Sequence, residues 1–406
     1  MANKFAPTGL IVMRVCIIYT GGTIGCVGNP LAPMSRDDFQ QAFATLISPL
    51  IKSKYSDIEI AFSHFANVLD STNIQPSDWC LIASEIVNYY SDYDAFIVLH
   101  GTDTMAWTAS ALSFLLTGLN QQGQVIAALD KPVIVTGSQL PLFIQQTQLA
   151  PLSLYANTDA LNNITGAVEA IYARIKEVGV YFHHQLFRGN RSLKTNTHAF
   201  DAFSSPNYPS LGQGELSFEA NNDVRFHSAN HSKTALSHPE NLAMLKSQLA
   251  QIIRCIDENI IINLAAYPVY HSQQSNVLAH FVSSSLSMPH VKGIILQSYG
   301  AGNFPSGNVD NATEGSMYQA LKTASKQGVV IINCTQVVSG VVNANSYASG
   351  SWLREVGSLD ARDMSPIAAL TKLTFLLSLN QGANFQWSAA FIGQLMLTDL
   401  AGEITP

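Results

Sequence analysis

Five short apolar runs, each followed by a helical pattern or a turn, constrain this chain more than any other feature. Val15–Tyr19, Ile58–Phe62, Phe96–His100, Val133–Thr136 and Val178–Phe182 are β-rich and largely continuous in their hydrophobicity. Runs of this kind need cover on both faces, which suits a parallel sheet flanked by helices. Between them, Pro76–Tyr90 opens with proline at a first-turn position, and Thr104–Leu116 spaces Met105, Ala109, Leu112 and Leu116 for one helix face. A polar stretch, Asn207–Asp257, carries no strong strand pattern, although Pro239–Ile256 suits one amphipathic helix. Strand–helix alternation then resumes at Ile260–Leu264, Gly293–Gln297 and Val329–Cys334. The expected class is α/β. A large N-terminal doubly wound, mostly parallel sheet domain occupies residues 14–207, a linker 208–258, and a smaller C-terminal α/β domain 259–406.

The 406 residues suffice for two filled cores. Charged residues make up only 12%, roughly half the usual share of about 25%. Ser, Thr, Asn and Gln must therefore build much of the polar surface, which fits a chain that buries surface in an oligomer. A net charge of -7 with no Lys/Arg cluster argues against nucleic acid. No run approaches the ~20 apolar residues that span a bilayer. Gly9–Ile18 is fairly apolar, but Arg14 interrupts it and no small-residue cleavage site follows. It reads as a first strand behind a short extension, Met1–Met13, with Met13 a candidate start. The five cysteines are widely spaced without a C-x-x-C pair, so they read as reduced, buried thiols of a cytoplasmic protein.

Chemistry concentrates in two glycine turns placed directly after apolar strands. In an open parallel sheet, ligands bind in the crevice beyond the carboxyl ends of the strands. The first turn is Tyr19-Thr20-Gly21-Gly22-Thr23-Ile24-Gly25, whose paired glycines permit close backbone approach and project the Thr23 hydroxyl. The second, His100-Gly101-Thr102-Asp103-Thr104, opens a helix where backbone N–H groups are unpaired and the dipole is positive. Taken alone, a Gly-Gly turn is commonly just a turn, and Thr-Asp at a helix start is usually a cap. The first turn also lacks a P-loop lysine and the spacing of a dinucleotide fingerprint. In order and about eighty residues apart, the two are far more specific.

Together they closely resemble the bacterial L-asparaginase family, in particular its cytoplasmic type I branch. Further segments match in family order: Leu69-Asp70-Ser71, Val133–Gln139, Arg188–Lys194 (RGNRSLK), Phe200–Asn207 and Ser298–Asn303 (SYGAGN), over roughly residues 14–400. The resemblance implies hydrolysis of L-asparagine to L-aspartate and ammonia without a cofactor. Thr23 would form the acyl-enzyme, and Thr102, Asp103 and Lys194 a second hydroxyl–carboxylate–ammonium cluster. Ser71 would bind the substrate α-carboxylate and Asp103 its α-ammonium group. Asn303 would serve a neighbouring subunit's site in a homotetramer or homodimer. A threonine hydroxyl needs a nearby base. Burial would favour the neutral amine of Lys194 and a neighbouring carboxylate its ammonium, so the sequence leaves its protonation open.

Two departures from the family pattern stand out. The flap after the first turn, Cys26–Pro33, carries Leu31 where the family has a tyrosine, and leucine cannot pass a proton. Either the tyrosine is dispensable, another group takes its role, or activity is reduced. Positions resembling an allosteric asparagine pocket carry Leu193, Gln297 and Val337, which predicts hyperbolic kinetics. His227, His231 and His238 lie in the polar stretch and read as solvated. His183-His184 follows a strand in which neighbours face opposite ways, against joint metal ligation. Three rivals stand beside the asparaginase reading. A dual glutaminase-asparaginase differs by one methylene of substrate. A catalytically impaired amino-acid-binding homologue is suggested by Leu31. An archaeal tRNA-amidotransferase subunit normally carries an extra N-terminal domain, and Thr23 lies near the start.

Overall fold

Alternate residues of the central strands enter different cores, and that alternation builds the layers. The computed structural model describes residues 12–145, 150–214, 217–224, 234–269, 271–272, 275–343 and 348–405. One sheet contains β1 (Met13–Tyr19), β2 (Ile58–Phe62), β3 (Ala95–Leu99), β4 (Val133–Thr136), β5 (Val178–Phe182), β6 (Gln185–Arg188), β7 (Gly212–Gln213) and β8 (Glu219–Ala220). Its order is β8-β7-β6-β5-β4-β3-β1-β2. The five strands β1 to β5 are parallel, and β6 to β8 add antiparallel pairs at one edge. A second, all-parallel sheet runs β9 (Ile260–Ala265), β10 (Val291–Ser298), β11 (Val330–Thr335) and β12 (Leu359–Asp360) in that order.

The helices that cover these sheets are α1 (Arg36–Leu46), α2 (Pro76–Asn88), α3 (Met105–Leu115), α4 (Ala160–Tyr172), α5 (Pro239–Ile252), α6 (Val277–Ser285), α7 (Ser316–Lys326), α8 (Pro366–Gly382) and α9 (Ala389–Met396). Val15, Ile17 and Tyr19 of β1 pack on one face with Phe39 and Phe43 of α1 and Ile164 and Ile171 of α4. Cys16 and Ile18 point the other way, into a core shared by α2, α3, α5, α8 and α9. That same core receives Ile295 and Ile332 from the second sheet, whose opposite face takes α6 and α7. A layer of helices therefore joins the two sheets. A one-residue register slip in β1 would exchange its two apolar sets.

The middle helices explain themselves by composition. All but one of the α3 residues are buried, as are most of α8, and both are apolar on every side. They pack together, with Ser110 Oγ and Thr371 Oγ1 sharing a hydrogen bond of 2.7 Å. The scarce charges go inside as well. Arg188–Glu177 (2.6 Å), Arg191–Asp363 (2.7 Å) and Lys372–Glu403 (2.5 Å) are buried ion pairs.

Several expectations shift in detail. The polar stretch supplies β7 and β8 to the large sheet, and α5 ends at Ile252, ahead of a separate turn at Ile256–Glu258. Strands of two residues bury too little to leave a hydrophobic pattern. His183 and His184 are not strand residues. They form the tight turn between β5 and β6 with φ 45° and 65°, and their rings lie 5.1 Å apart. Strand alternation therefore does not separate them. Among the described residues, no group of three or more His, Cys, Asp or Glu side chains could hold a metal ion. His227 and His231 lie outside the described residues, while His238 precedes α5. All five cysteines are buried and free. Among the described residues, no helix is long and apolar enough to cross a membrane.

Candidate active site

Strand order places the site. β1 sends its chain through α1 to β2 on one side and receives β3 on the other, so the order reverses beside β1. The crevice beyond the carboxyl ends of β1 and β3 is the switch point of a doubly wound sheet. Tyr19 pairs with Leu99 at the last position of both strands, so the two glycine turns leave the sheet side by side. Thr20 ties them with its N–H (3.0 Å) and its Oγ1 (2.9 Å), both donating to the Leu99 carbonyl.

Beyond that tie the turns touch at two glycines. A Cβ on Gly22 (φ 83°) would fall 2.3 Å from Gly101 Cα, and one on Gly101 would fall 2.5 Å from Ser71 Oγ. The Gly22–Gly101 contact tolerates no side chain on either side, and the φ of Gly22 is one L-residues rarely adopt. Ser71 is buried at this junction, and its carbonyl accepts a hydrogen bond from Thr104 Oγ1 at 2.7 Å. Thr23 follows the contact on the first turn, half-buried in the short helical turn Thr23–Gly25. Among the described residues its hydroxyl has no hydrogen-bond partner.

Thr102 follows the contact on the second turn and is buried. Lys194 Nζ donates to Thr102 Oγ1 at 2.9 Å and to Asp103 Oδ1 at 2.7 Å. The lysine side chain is 18% exposed and the Asp103 carboxylate 59%, so the carboxylate keeps a solvent face that could take a ligand cation. Lys194 arrives from a short strand pair, Leu193–Lys194 against Phe203–Ser204. The preceding RGNR segment is anchored from below. Arg188 and Arg191 both donate to the Gly402 carbonyl and both lie over the Tyr208 ring, and Asn190 donates to the Ala401 carbonyl. These arginines stand in the RGNRSLK segment, but a positioning role for them depends on the distant C-terminal residues they meet.

Sequence reading also passed over His100 and Gln139. The His100 ring is fully buried, and desolvation lowers its pKa to about 4 even though a bond to a backbone carbonyl works the other way. Gln139, on the turn after β4, approaches Thr102 Oγ1 at 3.5 Å and donates to the Ala199 carbonyl at 3.1 Å. Both sit at the same end of the sheet as the glycine turns, which was the available signal.

Leu31 is 55% exposed near the tip of a hairpin formed by Cys26–Val27 and Ala32–Pro33. Asn303 closes a turn on Tyr299 at the carboxyl end of β10, in the other sheet. Leu193, Gln297 and Val337 do meet, lining one cavity of about 220 Å³ with Trp107, Asn263 and Gln336. No charged side chain is among the described residues that line it.

Among the described residues, one turn carries a hydroxyl without a hydrogen-bond partner and the adjoining turn a buried hydroxyl that accepts from Lys194, itself paired with Asp103, a set equipped for acyl transfer. Known proteins agree in sequence and in shape. The family model for the asparaginase N-terminal domain matches residues 14–230, and that for the glutaminase/asparaginase C-terminal domain matches residues 269–386. L-asparaginase 1 of Escherichia coli (strain K12) is 35% identical, covering 97% of this chain and 98% of that protein. A 60 kDa lysophospholipase of Mus musculus is 31% identical, over 100% of this chain and 64% of that protein. The crystal structure of L-asparaginase I from Vibrio cholerae superposes with a TM-score of 0.70 at 31% identity, covering 97% of this chain and 100% of that one. With both domain models matched in order along the same chain, the protein belongs to the asparaginase family.

Proposed function

We propose that this protein hydrolyses L-asparagine to L-aspartate and ammonia through an acyl-enzyme on Thr23. The observation that carries the reading is the hydrogen bonding of Lys194 to Thr102 and Asp103 of the turn that touches the Thr23 turn. Thr23 Oγ attacks the side-chain amide carbon, ammonia leaves with the proton released by the hydroxyl, and water cleaves the resulting ester to restore Thr23. Lys194, acting through Thr102, relays protons on the adjoining turn, because Leu31 on the hairpin has none to give. Asp103 holds the substrate α-ammonium group and Ser71 its α-carboxylate. A hydroxyl nucleophile needs no metal or organic cofactor for these steps.

The protein works in the cytoplasm as a homotetramer or homodimer, in which Asn303 serves a neighbouring subunit's crevice. Its low charge content supports this assembly, and its nucleic-acid and membrane contacts are nil in this reading. The test is ammonia release by the purified protein from L-asparagine and from L-glutamine. One methylene is worth only ~1–3 kcal/mol of discrimination, so the ratio of the two rates defines the substrate. Thr23→Ala should lower release roughly a thousandfold or more. Normal release by that variant would refute the nucleophile.

A further inference from the structure

His100 is a buried imidazole whose two ring nitrogens are both committed beside the reactive turn. Its Nδ1 lies 2.7 Å from the Gly101 carbonyl oxygen, and its Nε2 lies 2.8 Å from Thr108 Oγ1 on α3. A carbonyl can only accept, so Nδ1 carries the proton and Nε2 accepts from the threonine hydroxyl. The ring faces the Gly101 carbonyl from its own turn and the buried Thr108 from α3, and no charged side chain contributes to its low proton affinity. Its backbone is held as well. His100 N–H donates to the Thr136 carbonyl at 2.8 Å, and a Cβ on Gly137 would fall 2.1 Å from the His100 carbonyl oxygen.

The carbonyl that His100 grips belongs to the Gly101–Thr102 peptide. In a planar trans peptide the C=O and N–H point in opposite directions. Drawing that oxygen inward toward a buried ring turns the Thr102 N–H outward, away from the sheet. Among the described residues that N–H donates to no protein acceptor. We propose that His100, as the neutral Nδ1–H tautomer, is a positioning residue that aims the Thr102 N–H at the oxyanion formed during amide hydrolysis. The inference rests on the acyl-transfer reading and adds to it the group that fixes one oxyanion donor. A protonated ring would still donate from Nδ1, but its second N–H would oppose the Thr108 hydroxyl and force that contact to rearrange.

The experiment compares His100→Asn, His100→Gln and His100→Leu in the full-length protein. Asparagine keeps an N–H donor near the Nδ1 position, glutamine places its amide nearer Nε2, and leucine keeps only bulk. His100→Leu and His100→Gln should lose about a hundredfold in kcat with KM within about threefold, the loss expected for one oxyanion donor. His100→Asn should recover most of that loss. A kcat that merely follows melting temperature across the three variants, with His100→Asn no better than His100→Leu, would overturn the proposal.

Nitrogen-15 NMR of the imidazole in the wild-type protein reads the same feature without activity. The expected spectrum has a protonated Nδ1, an unprotonated Nε2 and no titration until about pH 4. The opposite tautomer, or titration at the ordinary histidine value, would overturn it. A wild-type protein with this spectrum but no ammonia release would sink the amidohydrolase reading and leave the backbone clamp standing.

Discussion

Each parallel sheet of this protein ends in a crevice at the carboxyl ends of its strands, yet the two are furnished differently. At that end of the large sheet Thr23 and Thr102 follow the two glycine turns, and Lys194 pairs with Asp103 at 2.7 Å. The cavity at the end of the small sheet, about 220 Å³, is lined by amides, hydroxyls and apolar side chains. Its amides are largely spent on each other and on the backbone. Gln297 donates to Asn263 Oδ1 at 2.8 Å, and Gln336 donates to the Ala266 carbonyl at 3.0 Å. Topology gathers strand ends in both places, and the residues set there decide whether chemistry follows. A cavity without charge has little to offer the α-ammonium and α-carboxylate of a free amino acid.

The largest effect should come from removing the cation that the first crevice has and the second lacks. Lys194→Met is expected to lower ammonia release from asparagine by about a thousandfold, the scale of a lost proton-transfer group. A variant that keeps a tenth of the rate would show that charge is not what separates the two crevices.

The next test breaks the tie between the halves. Arg191→Met would leave the Asp363 carboxylate buried without its guanidinium, at a cost of about 3 kcal/mol in a denaturant titration. Burial raises the Asp363 pKa, but hydrogen bonds from Thr405 and Arg191 outweigh it and hold the group below its ordinary value. The stabilisation is therefore present above pH ~4 and is lost as the pH falls through the lower folded value. A variant as stable as wild type, with the same acid midpoint, would mean that the RGNR anchor does not support the Lys194 segment.

The smallest expected effect concerns the neutral cavity. Asparagine saturation of the wild-type protein should be hyperbolic, because Leu193, Gln297 and Val337 present no charge to a second asparagine. A sigmoidal curve would show that an uncharged hollow can bind an amino acid after all.

Much of this architecture was legible in one dimension. Ile58–Phe62, Val133–Thr136 and Val178–Phe182 are strands with the bounds their apolar runs suggested, and α3 differs by one residue at each end. β7 and β8 were illegible because two residues cannot show a period. The middle helix layer was hidden for another reason: α8 is apolar all round, and such a helix does not say which two sheets it lies between. Thr102, Asp103 and Lys194 were legible as a set through family resemblance, and the structure brings them into one hydrogen-bonded group. His100 and Arg191 stood in the same motifs without a role, because their partners, Thr108 and Asp363, carry no mark of the contact.

The amino-acid order by itself determined the longer parallel strands and the helices with one apolar face, which turns must be glycine, and which end of the sheet carries those turns. Those properties follow from local geometry, in which residue spacing encodes the buried face and a missing Cβ encodes close approach. Only the tertiary structure decided that Gly22 meets Gly101, that Lys194 reaches Thr102 across 92 residues of chain, and that the two sheets share one core. Such contacts depend on strand register and on how whole layers pack. Residues far apart in the chain acquire those relations only when the fold closes.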